Sequence, residues 1–280
     1  MTTGPACPIA NLEKLLIATD GTVYSEGAIR EGIKFAAKCS SKLYVCMTLE
    51  TNPEYETTGQ NVLQQMVEEA TVHMTSIKDR ATQAGLDCET ILHESMEASQ
   101  AIVDEATDKK VDMIIVGRHG HKGLAKALMG EVAAKVITDA PCKVMVVPKA
   151  AQTEYKIILV ATDGSTHAKA AVQEAIAIAK RNGSHLIALS AMRDESERQE
   201  AKEFSEKAAA MARTEGVAVE AITPMGRSHN VIVEEAGGRG VDLIVMGTYG
   251  KTGVKKFVMG SSTEKVIGSA GCSVLVVRAD

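Results

Sequence analysis

The sequence predicts an α/β protein of two tandem domains, each an open, twisted, five-stranded parallel sheet with helices on both faces. Three observations carry this. The chain contains two copies of one pattern, each copy alternates short β-rich runs with longer helical ones, and several β-rich runs are apolar throughout. Continuous apolar strands such as IILVA, LIVMG and VLVV are what a sheet covered on both faces requires. Strand–helix alternation implies right-handed crossovers and hence parallel pairing.

The repeat sets the domains. LLIATDGT, with Asp20, matches IILVATDGS, with Asp163, at an offset of 143 residues. Gly117 to Gly247, Gly130 to Gly260 and Cys142 to Cys272 are each offset by 130, so the second copy is 13 residues shorter. The excess lies in ETNPEYETTGQNVLQQ, opposite the charged RDESERQEAKEF. This 50–65 insert is read as a lid or interaction loop. A repeat this long is a duplicated domain, because solenoid periods are roughly 20 to 50 residues. The expected domains are 9–148 and 155–280, joined by the short polar linker 148–154.

In the first copy, strands are expected at 15–19, 43–48, 88–92, 113–117 and 143–147. In the second they are expected at 157–162, 186–191, 217–222, 243–247 and 273–277. Between the latter, HAKAAVQEAIAIAKRNG places Ala, Val and Ile at helical spacing and closes at Gly183. SERQEAKEFSEKAAAMARTEG is a second, highly charged helix ended by Gly216, HNVIVEEAGGRG a third and SSTEKVIGSAG a fourth.

Composition excludes several functions. Length 280 suits two domains, and 45% hydrophobic with 24% charged residues is ordinary for globular chains. A net charge of −5 offers no footprint for nucleic acid, and 3% aromatics offers few stacking platforms. No apolar run reaches the ~18 residues of a membrane span, and MTTGPACPIANLEK lacks the pattern of a secretory signal. Cys7, Cys39, Cys46, Cys88, Cys142 and Cys272 form no CxxC and no disulfide-like framework. A reducing cytoplasm is expected, with most thiols acting as small buried hydrophobes and Cys7 the most exposed.

The chemistry sits after the fourth strand of each copy. The second copy has MGTYGKTGVKKFVMGSSTEKV and the first VGRHGHKGLAKALMGEVAAKV, with glycines at the same spacing. A glycine frame suits a backbone that approaches an anion. Gly260–Ser261–Ser262 precedes a helix whose first turn has unpaired N–H groups and a partial positive charge. Ser261 or Ser262 could cap that turn, or its amides could hold phosphate. An isolated GSS favours the plain cap; joined to Gly247 and Gly250 behind an apolar strand, it favours phosphate. A ligand at such a sheet belongs at the carboxyl ends of strands one and four, beside Asp163 and Gly247.

Both halves resemble the universal stress protein family, and the whole chain resembles a tandem member. Gly247, Gly250, Gly260 and Ser261 match the family's G-x2-G-x9-G-S/T motif, and ATDGS resembles its first strand end. The resemblance implies a Rossmann-like, adenine-nucleotide α-hydrolase-like fold and ATP, with Mg²⁺, as ligand. It would place Asp163 on the ribose or adenine, with Ala161, Thr162, Ala191 and Met246 near base and sugar. Gly247, Gly250, Gly260, Ser261, Ser262 and Thr263 would face the phosphates. It also implies an intrachain pseudo-dimer, with homodimers beyond that.

The first half keeps Thr19, Asp20, Gly117, Gly120 and Gly130 but carries Glu131 in place of the serine. At an effective dielectric of ~20 and ~5 Å, a carboxylate repels each unit of phosphate charge by roughly 3 kcal/mol. That exceeds one hydroxyl hydrogen bond of about 1 kcal/mol. No ATP is therefore expected in the first half. Glu131 is read either as a cap that fills the phosphate position itself or as a surface residue. Lys251, Lys255 and Lys256 are read as phosphate contacts or a solvated turn. Arg118, His119 and His121 hold no complete metal set, and His167 and His229 read as surface polar residues.

No GxSxG, HExxH or GxxxxGK[ST] motif is present, and ATDGS is not the SGGxDS of adenylating pyrophosphatases. The expected function is a cytoplasmic ATP-binding stress-response protein whose occupancy sets conformation or partner choice. The alternatives are an interaction scaffold whose pockets bind a non-nucleotide ligand or stay empty, and a slow Mg²⁺-dependent ATPase.

Overall fold

The computed structural model describes residues 7–9, 12–50, 60–119, 129–250 and 259–279. Among these, ten strands join into one sheet. In the first half they are β1 (Lys14–Thr19), β2 (Lys42–Glu50), β3 (Cys88–Ser95), β4 (Met113–Gly117) and β5 (Lys143–Val147). In the second they are β6 (Ile157–Ala161), β7 (His185–Leu189), β8 (Val219–Ile222), β9 (Leu243–Gly247) and β10 (Ser273–Val277). The helices are α1 (Glu26–Cys39), α2 (Gln60–Gln83), α3 (Ala98–Lys109), α4 (Glu131–Asp139), α5 (Thr166–Asn182), α6 (Arg198–Thr214), α7 (Ser228–Gly238) and α8 (Ser261–Ser269).

The strand order is β3-β2-β1-β4-β5-β10-β9-β6-β7-β8. Every pair within a half is parallel. The two halves meet at β5 and β10, which pair antiparallel through Val144↔Val276, Met145↔Leu275 and Val146↔Val274. The last strand of each copy would otherwise be an open edge, and each closes the other, so the two copies pair within one chain. The strand order reverses between β1 and β4 and between β6 and β9, which are neighbours as the site argument requires.

Successive strand residues point to opposite faces. Leu15, Ile17, Ile158 and Val160 enter one core layer, with Phe35 of α1, Ile77 of α2, Val172 of α5 and Ala208 of α6. Leu16, Ala18 and Leu159 enter the other, with Ile102 of α3, Val136 of α4, Ile232 of α7 and Val266 of α8. Both layers run through both halves. Each fully buried Leu or Ile contributes about 1.5–3 kcal/mol, which explains why neither strand face is polar.

Helix ends follow the local chemistry. Ser165 caps α5 by accepting from the Ala168 N–H at 3.3 Å. Gly183 ends the helix in the left-handed region at φ 66° and donates to the Ala179 carbonyl. Part of the first-half excess is helical: α2 has 24 residues and α6 has 17. Residues 60–65 of the proposed lid are thus the opening of α2, while 51–59 lie outside the described residues.

One expectation, on the cysteines, is corrected. The linker is packed against the first half. Ala151, Thr153 and Tyr155 are buried, and the segment is held against α1. Arg30 donates to the carbonyls of Lys149 and Ala151, Lys34 to that of Thr153, and the Thr153 N–H donates to the buried Glu31. Glu31 also meets Arg30 at 3.4 Å and Lys34 at 3.6 Å, which compensates its burial. The corrected expectation is that no cysteine is disulfide-bonded and that Cys7 is the most exposed. Cys7 forms a disulfide with Cys39 at the end of α1, and Ile9 and Leu12 beside it enter the core. The other four cysteines are buried or half-buried, and burial pushes the Cys46, Cys142 and Cys272 thiols up to about 12.

Candidate functional site

The second-half crevice opens where β6 and β9 end. Ala161 and Thr162 are buried at the tip of β6, and the Thr162 N–H donates to the Leu189 carbonyl at 2.8 Å. The Thr162 hydroxyl accepts from the Gly164 N–H at 3.3 Å. Asp163 Oδ1 accepts from the Ser165 N–H at 3.0 Å. Its Oδ2 lies against Gly250: a Cβ there would stand 2.5 Å from it. Asp163 and the glycine loop are therefore in contact. Ala191 lies two residues beyond β7, half-buried. Met246 is 6% exposed and belongs to the same core cluster as Met259, so it enters the layer beneath the crevice.

The far wall is the start of α8. Gly260 occupies the N-cap, in extended backbone, and no side chain caps the turn. Its N–H donates to the Thr248 carbonyl at 3.0 Å. Ser261 is exposed, Ser262 half-buried and Thr263 buried. The Thr263 hydroxyl donates to the Gly247 carbonyl at 3.1 Å, so it ties α8 to the tip of β9 instead of facing outward. The first-turn amides lack helical acceptors and carry the positive end of the helix dipole, which gives them the chemistry to receive an anion. Lys251, Lys255 and Lys256 lie outside the described residues.

Gly247 has a packing reason to be glycine. A Cβ would sit 2.7 Å from the His167 carbonyl carbon and 2.9 Å from the Ala168 nitrogen. The tip of β9 thus touches the backbone of α5, and the same holds for Gly117 against Tyr24 and Ser25 in the first half. Part of the glycine frame read as anion-approaching serves helix–strand packing.

His167, read as a surface residue, is structural. Its Nδ1 accepts from the Ala279 N–H at 3.0 Å, and its ring meets Tyr249 edge-on at 5.1 Å. Burial, then the nearby Arg278, hold its pKa below the ordinary value. The first half has the mirror pair, Tyr24 and His119 at 6.2 Å. The two offsets, 143 and 130, map Tyr24 onto His167 and His119 onto Tyr249. The swapped pair was the available sequence signal for these residues. Ser165 also went unread; its hydroxyl lies 3.5 Å from the Tyr249 carbonyl.

The first-half crevice differs in detail. The Thr19 hydroxyl bonds Ser25 at 2.8 Å and His73 Nε2 at 3.1 Å. Asp20 Oδ1 accepts from the Thr22 N–H and hydroxyl, while its Oδ2 is buried without a hydrogen-bond partner among the described residues. Glu131 does not cap α4 or fill a phosphate position. Its side chain is 80% exposed and pairs with Lys135 at 3.2 Å, four residues along the same helix. Two further differences matter as much: Val132 and Ala133 stand where the second half has Ser262 and Thr263. Arg118 turns away from its own loop and donates to the Ala270 carbonyl at the end of α8, across the domain junction, at 2.8 Å. Arg278 reciprocates on the Thr138 and Ala140 carbonyls at the end of α4. Gly120 and His121 lie outside the described residues.

The comparisons with known proteins agree with this architecture. The universal stress protein family matches residues 11–148 and again 154–278. The chain belongs to the universal stress protein family. A universal stress protein of Methanocaldococcus jannaschii is 36% identical over 141 residues, 49% of this chain and 82% of that one. A universal stress protein of Thermus aquaticus is 38% identical over 136 residues, 44% of this chain and 99% of that one. The crystal structure of a universal stress protein from Archaeoglobus fulgidus spans both halves, covering 96% of this chain and 99% of its own, with TM-score 0.74 at 20% identity. That match establishes the two-domain fold. Among the described residues no helix is long and apolar enough to cross a membrane.

Proposed function

We propose that this universal stress protein binds ATP in its second half and that the first half does not. The observation that carries the proposal is the uncapped start of α8, with Ser261 exposed and the Asp163–Gly250 contact across the crevice. The residues fit a nucleotide triphosphate. The first-turn amides and the Ser261 and Ser262 hydroxyls suit its phosphates, and Asp163 suits a ribose or base donor. Mg²⁺ would accompany the nucleotide and neutralise part of its charge. The first half lacks both hydroxyls and places a carboxylate at the same helix start.

Occupancy would act as a switch, because Tyr249, beside Gly250, meets His167, which is bonded to the C-terminal segment that reaches α4. The reading retains a cytoplasmic setting, in which Cys7 and Cys39 would be held mostly as thiols. It also retains homodimers, which would use a surface other than the β5–β10 edges already paired within the chain. Asp163 is a carboxylate in the crevice, but it already accepts from Ser165, so hydrolysis is not the expected main activity.

Calorimetric titration of the nucleotide-stripped chain with ATP and Mg²⁺, with Ser261→Glu as control, tests the proposal. One site per chain, lost in the control, is the expected result. Two sites would refute the asymmetry, and no binding would refute ATP as the ligand.

A further inference from the structure

The helix α8, whose start is the proposed phosphate end, is held at its other end by the first half. Nη1 of Arg118, the residue after Gly117, donates to the Ala270 carbonyl at 2.8 Å. Ala270 is the C-cap of α8 and is 1% exposed. The guanidinium is half-buried and, among the described residues, its Nε is buried without a hydrogen-bond partner. Burying a cation is costly unless negative charge faces it. Here that charge is the carbonyl end of a helix, equivalent to roughly half a negative charge.

The repeat shows that this contact is particular to the first half. The offset of 130 places Thr248 where the first half has Arg118. Thr248 is buried, and its hydroxyl donates to the Val277 carbonyl at 3.1 Å, inside its own half. Arg278, which holds the end of α4, aligns instead with Pro148. Residues at non-equivalent positions thus reach equivalent helix ends, Ala270 and Ala140.

The helix α8 has nine residues, a rod of about 14 Å, so its two ends move together. Thr263 ties its start to the Gly247 carbonyl at 3.1 Å, and Val266 and Ile267 bury its flank. Arg118 ties its far end. The position of the rod along its axis decides how far the first-turn amides stand from Asp163 and Gly250.

We infer that Arg118 is a positioning residue for the ATP site: the first half sets the axial position of α8, and so the height of its first-turn amides over the second-half crevice. This rests on the ATP-binding reading above. A charge at a helix end shifts an equilibrium by roughly two- to thirtyfold, most where it is partly buried. Loss of the contact can lower ATP affinity by no more than that factor.

The test is calorimetric titration of the full chain, Arg118→Lys, Arg118→Met and Lys143→Met with ATP and Mg²⁺, with thermal unfolding of each. Lys143 is the comparator, a cation that crosses the junction to Glu174 of α5, at 2.8 Å, rather than to α8. Arg118→Met should bind ATP about fivefold more weakly than the parent. Arg118→Lys keeps a cation and a donor and should recover most of the affinity. Lys143→Met should unfold at a lower temperature than the parent yet bind ATP within about twofold of it. Arg118→Gln, a neutral donor, replaces Arg118→Met if the latter does not fold. Parent affinity in the neutral Arg118 variant, an equal loss in Lys143→Met, or an Arg118→Lys no better than the neutral variant would each overturn the positioning role while leaving ATP binding intact. A parent that binds no ATP would instead overturn the ATP reading and this inference with it.

Discussion

Replacing Gly247 with alanine should destabilise the second half before any ligand is added. The new methyl would lie 2.7 Å from the His167 carbonyl carbon and 2.9 Å from both the Ala168 nitrogen and the His167 Cβ. Ordinary contact needs about 0.7 Å more, and two of these atoms are helix backbone, so α5 itself must retreat from β9. That helix cannot retreat freely. Ala168, Ala171, Val172, Ala175, Ile176, Ile178 and Ala179 are all buried against the sheet and would lose contact together. Overpacking of this kind costs about 1–3 kcal/mol, and each kcal/mol lowers Tm by roughly 2–4 °C in a protein of this size. Gly250→Ala is the instructive comparison. Among the described residues its methyl would meet the Asp163 carboxylate, a side chain and not helix backbone, so stability should fall less than for Gly247→Ala while ATP binding falls. Gly237→Ala, in open space on α7, should stabilise by up to about 1 kcal/mol. Urea and thermal unfolding without nucleotide measure all three. If Gly247→Ala unfolds like the parent and loses only ligand affinity, the close-approach argument is wrong and the glycine serves the anion after all.

Glu131→Ser alone should raise ATP affinity in the first half only slightly, because the carboxylate it removes already points to solvent. Glu131→Ser with Val132→Ser and Ala133→Thr restores two phosphate-facing hydroxyls at about 1 kcal/mol each, a gain of about thirtyfold, seen as a second calorimetric site. Burial holds the His73 pKa below its ordinary value, with Asp20 and Glu26 opposing. The unfolded chain therefore binds the proton more readily, so this contribution is complete above the unfolded pKa near 6.5 and is lost as pH falls towards the folded one. His73→Gln should flatten the fall of stability between pH 7 and pH 5; an unchanged slope in urea titrations would contradict this. The Cys7–Cys39 link closes 32 residues of chain, and Cys39→Ser should lower stability under oxidising conditions by about 3–4 kcal/mol. Finding the pair oxidised in acid-quenched cells would count against the cytoplasmic setting.

The repeat and its alternation were legible because each depends on local pattern. Apolar runs at IILVA and LIVMG become strands wherever both faces are covered, and Gly183 ends α5 because a residue without Cβ accepts φ 66° there. The position of the candidate site was legible for the same reason. Strand ends and a helix start are set by the chain itself, and their adjacency follows from parallel crossovers. Other roles were not legible. Ser261 and Thr263 are both short hydroxyl residues in one turn, yet one is exposed and the other is buried on the Gly247 carbonyl. Which of them faces out depends on how α8 sits against β9. Glu131 reads as an anion beside phosphate until the rotation of α4 brings it to Lys135.

By itself, then, the amino-acid order determined the duplication, the five parallel strands of each half and the place where each strand order reverses, since these follow from periodicity and chain direction. Only the tertiary structure decided the antiparallel β5–β10 junction, the crossed contacts of Arg118 and Arg278 and the Cys7–Cys39 link. Each joins residues far apart in the chain. Their meeting is governed by packing across the whole sheet, and no local propensity encodes it.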